Sequence, residues 1–210
     1  MKLLVLVIVV FCLGATAGAA AAPSKPDAHD RAIAQRLASE VIALRKLATA
    51  ADGGDERITK ALEGCTGLGK TPGESFAVVF AMLPVLLIDV VNEIRPLLLR
   101  ARTSIDALDP HAALFKRWLA ALRVNLDLML ALDNHGKKID YCAAAKTLLA
   151  KNATDAQITA VLGVSQARIK ALFSKQAAQA GSTVKKLNPQ MRVFLIAAGV
   201  PRGIAVQLTK

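Results

Sequence analysis

Eight consecutive residues, Gly64-Cys65-Thr66-Gly67-Leu68-Gly69-Lys70-Thr71, satisfy the spacing G-x-x-x-x-G-K-[ST] at every fixed position. Between a buried strand and a helix, such a loop cradles phosphates with backbone N–H groups. Its Lys reaches the outer phosphates and its hydroxyl holds Mg²⁺. The flanks do not supply that setting. Residues 56–63 read as a polar helix, with Asp55 as N-cap and Gly64 as its stop. Thr71-Pro72-Gly73-Glu74 reads as a helix start, with Thr capping, Pro at the first position and Glu closing a capping box. Val85-Leu86-Leu87-Ile88-Asp89 imitates a second acidic motif but lies inside a helical run. The expectation is a glycine-rich connector that binds no nucleotide.

Other reactive side chains are sparse. Asp89 and Glu93 stand four apart on one helical face, a spacing at which paired carboxylates can move protons. Arg95, Arg100 and Arg102 follow closely, so a structural ion-pair network is expected instead. His29, His111 and His135 are too dispersed in sequence to propose a metal site. No Ser/His/Asp set forms a nucleophile motif. No catalytic residue, cofactor or metal is therefore assigned. Cys65 and Cys142 are the two cysteines beyond residue 22, and in an exported chain they most simply pair.

Residues 154–172 offer a second motif. Ile158, Leu162, Gly163, Val164, Ser165 and Ile169 stand at apolar, turn and second-helix positions. The stretch resembles the helix-turn-helix of transcription factors, with Thr159 where a small Ala is usual. The resemblance implies a second helix that enters the DNA major groove, with Gln166, Arg168 and Lys170 as polar readers. It covers about twenty residues, and a helix pair with the Thr154/Gln157 capping box, a Gly stop and a Ser cap reproduces much of it.

The N-terminus argues against a gene regulator. Lys2 precedes an unbroken apolar run of eleven residues, 3–13, and a tail of small residues reaches Ala22. That is the layout of an export signal, cleaved between Ala17 and Ala22. The run is short of the roughly twenty residues a membrane span needs. Residues 1–22 are thus read as a signal peptide and 23–210 as a single α-helical domain, secreted or held in the cell envelope.

Helical periodicity dominates that domain. Ile33, Leu37, Val41, Leu44 and Ala48 recur at steps of three and four. Residues 76–88 carry no charge and read as a buried central helix, kinked or broken at Pro84 and Pro96. Asp109-Pro110 starts a helix striped by Leu114, Trp118, Leu122, Leu126 and Met129, which 133–136 closes. Another begins near Lys138. The last third reads as helices at 155–162, 166–179 and 189–198, with a short turn or helix after Pro201. No period-2 strand run of useful length occurs. The expected class is all-α, an irregular multi-helix bundle around a proline-kinked central helix.

Charge separates the regions. Residues 52–155 carry thirteen basic and thirteen acidic side chains, whereas 156–210 carry eight basic and no acidic ones. Such an excess favours an anionic partner, an envelope polymer or lipid head groups, with Arg168, Lys170 and Lys175 placed on one helix as its contacts. Two other readings accompany it. An apolar ligand could occupy a cavity lined by Val79, Met82, Leu86 and Leu87. A membrane-anchored DNA binder would use residues 154–172. Oligomeric state is not legible.

Overall fold

Ala-rich stretches bounded by Asp, Ser, Thr and Gly become helices, and no strand occurs among the described residues. The computed structural model describes residues 25–48 (for 41–48 the backbone alone), 65, 78 and 81–209. The expected signal segment, the helix expected at 56–63 and the 64–71 loop apart from Cys65 lie outside these. The fold is all-α. Its helices are α1 (Ala28–Ala48), α2 (Leu83–Asp106), α3 (Ala113–Leu130), α4 (Tyr141–Leu149), α5 (Asp155–Leu162), α6 (Gln166–Ala171), α7 (Lys175–Ala197) and α8 (Arg202–Leu208). Among the described residues no helix is long and apolar enough to cross a membrane.

The chain forms two compact units. The first comprises Met1–Ala50, Pro96–Asp127 and Ser174–Lys210; the second comprises Ala51–Arg95 and Leu128–Phe173. In the first unit α8 packs against α1 and α7. Its core joins Ile33, Ala34 and Leu37 of α1 to Phe115 and Trp118 of α3 and to Met191, Phe194 and Leu195 of α7. Phe115 meets Phe194 edge-on, with ring centroids 5.5 Å apart. The Trp118 indole N–H donates to Asn188 Oδ1 at 2.9 Å, a buried bond that satisfies the one polar atom of that ring.

In the second unit α5 packs against α4 and α6. Val78, Met82, Val85, Ile88 and Val91 are buried at steps of three and four, and residues 83, 84, 86 and 87 between them are half-buried. A helix with one buried stripe replaces the expected helix buried all round. The stripe crosses one interruption, because Ala81 is helical, Met82 is a turn residue and α2 starts at Leu83 with Pro84 in its first turn, where no N–H is needed. Pro96 does not break α2 and stands exposed within it.

Two helix boundaries differ from expectation. The helix expected at 166–179 is two helices. α6 ends at Ala171, buried Leu172 follows, and the Ser174 hydroxyl accepts from Ala177 N–H at 3.2 Å to start α7. The helix expected to start at Asn188-Pro189 has no boundary there. α7 runs through, Pro189 faces outward and Asn188 faces the core as the partner of Trp118. The start of α3 also differs. The two residues that lead into it are held from α1: the Asp30 carboxylate, 2% exposed, accepts from His111 N–H at 2.8 Å and Ala112 N–H at 3.1 Å.

Candidate functional site

The second unit assembles around a short connector. After α3, residues 131–140 turn back with His135 and Gly136 both in the left-handed region, at φ 59° and 74°. Asn134, 4% exposed, holds this turn in three directions. Its amide donates to Lys137 O at 2.9 Å and Leu162 O at 3.0 Å, and its Oδ1 accepts from Asn92 Nδ2 at 2.8 Å. Leu162 O lies at the C-terminal end of α5, so Asn134 satisfies a carbonyl the helix cannot. Beside it, Asp133 accepts from Arg95 Nε at 2.5 Å and from His135 N–H at 2.8 Å. Burial pushes the Asp133 carboxyl up, but the Arg95 and His135 hydrogen bonds outweigh that and hold it below its ordinary value.

The same unit contains the disulfide. Cys65 and Cys142 are bonded with α-carbons 5.4 Å apart across 77 residues of sequence. Cys142 sits in the first turn of α4, where Asp140 caps Cys142 N–H and Ala143 N–H. The pairing expected from sequence is present. Nothing else of the 64–71 connector belongs to the described residues.

Residues 154–172 form a helix, a turn and a second helix. Thr154 and Gln157 make the expected capping box, and Gly163 ends α5 at φ 74°. A Cβ on Gly163 would stand 3.1 Å from Asn134 Cβ and 3.2 Å from Lys137 Cδ, so both conformation and space call for glycine. Ile158, Leu162, Val164, Ile169 and Leu172 are buried. Thr159 bonds its hydroxyl to Asp155 O at 2.7 Å, which absorbs the polar group at the position where Ala is usual. On α6, Arg168 and Lys170 are exposed, and Lys170 Nζ donates to Gln166 Oε1 at 2.6 Å.

Lys175 does not share that helix. It opens α7, which belongs to the first unit, whereas α6 belongs to the second. The expected common face of Arg168, Lys170 and Lys175 on one helix is therefore corrected, because Ser174 caps a new helix. α7 presents its own surface. Lys175, Lys185, Lys186, Val193 and Ile196 are exposed, and no acidic side chain occurs in the helix. Arg192 instead turns toward α8, donating to Thr209 Oγ1 and O at 3.0 Å each.

The remaining candidates take structural roles. Asp89 accepts from the Tyr141 hydroxyl at 2.6 Å. The arginines expected beside it pair elsewhere: Arg95 with Asp133, Arg100 with Glu40 at 2.7 Å, and Arg102 with Asp106 and Asp127. His29 and His111, 82 positions apart in sequence, stack with ring centroids 4.4 Å apart. His111 Nδ1–H donates to Asp27 at 2.7 Å and His29 Nε2–H to Asp109 O at 2.9 Å. The Asp30 N–H and then the His111 ring hold the Asp27 carboxyl below its ordinary value. His135 belongs to the other unit, and no cluster suited to a metal occurs among the described residues. Of the residues expected to line an apolar cavity, Met82 is buried, Leu86 and Leu87 are half-buried, and Val79 lies outside the described residues.

Sequence reasoning missed Asn134, Asn188, Asp30 and the His29–His111 stack. All depend on partners distant in sequence, for which local pattern carries no signal. No protein-family model, curated protein or solved structure matches the chain.

Proposed function

We propose that this protein is an exported binding module that acts without catalysis and engages an anionic partner of the cell envelope. One observation carries the reading. The last 55 residues contain eight basic side chains and no acidic one. Arg168, Lys170, Lys175, Lys185, Lys186 and Arg202 of this stretch all reach solvent. A field of one sign attracts polyanions and fades with salt. The disulfide supports an oxidising compartment, as does the apolar leader in the sequence. Titration with a soluble polyanion such as polyglutamate at low and high salt tests the reading. The expected result is binding that weakens as salt rises, and weakens further in Arg168→Ala/Lys170→Ala/Lys175→Ala. Absence of binding even at low salt would reduce the basic stretch to a solubility feature.

A second reading rests on the α5–α6 pair, whose capped first helix, left-handed glycine and buried apolar set match a helix-turn-helix. In that reading α6 reads DNA through Gln166, Arg168 and Lys170. Selection from random duplexes separates the two. Phosphate contacts carry no base information, so the polyanion reading expects no enriched sequence. Recovery of one duplex lost in Arg168→Ala would establish the second reading.

A further inference from the structure

The α7 face carries more than charge. Its buried side, with Ala177, Leu187, Met191, Phe194 and Leu195, is fixed in the core of the first unit. The opposite side is consequently presented as a rigid, preformed surface. At 100° per residue, Lys175, Ser182, Lys186 and Val193 fall along one line of that surface, with Lys185, Pro189 and Ile196 beside it. Lys175 and Lys186 are separated by about 16 Å along the axis, and Val193 lies about 10 Å beyond Lys186. Val193 is 56% exposed and Ile196 41%. Exposed β-branched side chains at the end of a lysine row, on a helix free of carboxylates, form a mixed basic and aliphatic strip.

We propose that this strip docks the protein on a bilayer surface bearing anionic lipids. The inference rests on the anionic-partner reading and names its partner. Charge complementarity selects the occupant. A soluble polyanion satisfies the ammonium groups but offers nothing to Val193 and Ile196. A bilayer surface serves both, with head-group phosphates at the lysines and the acyl boundary at the aliphatic end. Lysine stems lie along apolar surface while their ammonium groups stay at head-group level. The docking is peripheral: α7 stays packed in its unit and contributes only its outer face.

Co-flotation with vesicles tests this, using phosphatidylglycerol mixed into phosphatidylcholine against phosphatidylcholine alone. The protein and its variants are used in their exported form, after removal of the apolar leader, so that vesicle binding reports on the folded chain. Lys175→Gln/Lys186→Gln should weaken binding to anionic vesicles about thirtyfold, at roughly fivefold per lysine. Val193→Ser/Ile196→Ser should weaken vesicle binding about tenfold and leave polyglutamate binding unchanged. Circular dichroism of each variant checks that these exposed substitutions keep the fold. Vesicle binding of the exported form indifferent to both double changes would overturn the proposal. Loss in the lysine variant with none in Val193→Ser/Ile196→Ser would also overturn it while sparing the anionic-partner reading. Binding to neither vesicles nor polyglutamate would sink both.

Discussion

In the first unit, Phe115, Trp118 and Phe194 fill an interior bounded by helices that include the 23-residue α7, and the buried Trp118–Asn188 hydrogen bond completes it. In the second, the helices after the connector are nine, eight and six residues long. Helices so short are marginal alone and each buries little. The second unit compensates with fixed points: a disulfide, the Asn134 hub and the Arg95–Asp133 pair. The contrast shows how one chain can reach order by two routes, by apolar volume where helices are long and by specific pins where they are short. It also separates two probes. The single Trp, Trp118, reports on the first unit, and the single Tyr, Tyr141, reports on the second.

The largest expected effect falls on apolar volume. Phe194→Ala empties a site that is 1% exposed and contacts Phe115. It should cost about 4 kcal/mol, as large-to-small changes of buried aromatics do. Chemical denaturation followed by Trp118 emission measures it. If Phe194→Ala costs under about 1 kcal/mol, the first unit is not held by its core.

Next comes the covalent pin. Cys65→Ser/Cys142→Ser should cost about 3 kcal/mol, the middle of the usual range for a native disulfide. The Tyr141 ring signal in NMR should lose dispersion at lower denaturant than Trp118 emission changes. Equal shifts of both probes would mean that the two units unfold as one and that the contrast is only architectural.

The Asn134 hub ranks third. Asn134→Ala strands the Leu162 carbonyl and the Asn92 amide, and should cost about 2 kcal/mol. Amide hydrogen exchange in α5 should rise before exchange in α7 does.

Local grammar accounts for what the sequence disclosed. Thr154, Gln157 and Gly163 cap α5 through atoms within a few residues, so that helix and its stop are legible to the residue. Two cysteines in a chain with an export-type leader left one simple pairing. Asn188-Pro189 shows the opposite case. Locally it has the form of a helix start, but burial of Trp118 demands an acceptor, and Asn188 supplies one from inside a continuous helix. The break after α6 was hidden because 166–179 has helical composition throughout, while Ser174 decides the boundary through a single cap. For the candidate binding surface, the charge was plain in composition. Its division between α6 and α7, and the company of Val193 and Ile196, depended on that boundary.

The smallest expected effect is a difference in acid sensitivity between two carboxylates. Asp133 in the second unit and Asp27 in the first are both held below the ordinary carboxylate value. A carboxyl depressed in the folded state binds fewer protons there than in the unfolded chain. Its contribution is therefore complete above the unfolded value and is lost as pH falls through the lower, folded one. Asp133 is buried against Arg95, whereas Asp27 is exposed and screened by solvent. Stability measured from pH 6 down to pH 2 should thus show an acid loss that Asp133→Asn removes in larger part than Asp27→Asn does. The Tyr141 signal should record the Asp133 component, because the Arg95–Asp133 pair closes the connector that precedes α4. Equal flattening of the acid limb by both substitutions would mean that the exposed His111 contact in the first unit holds its helices as firmly as the buried pair holds the second, and the distinction between volume and pins would fail at its polar end.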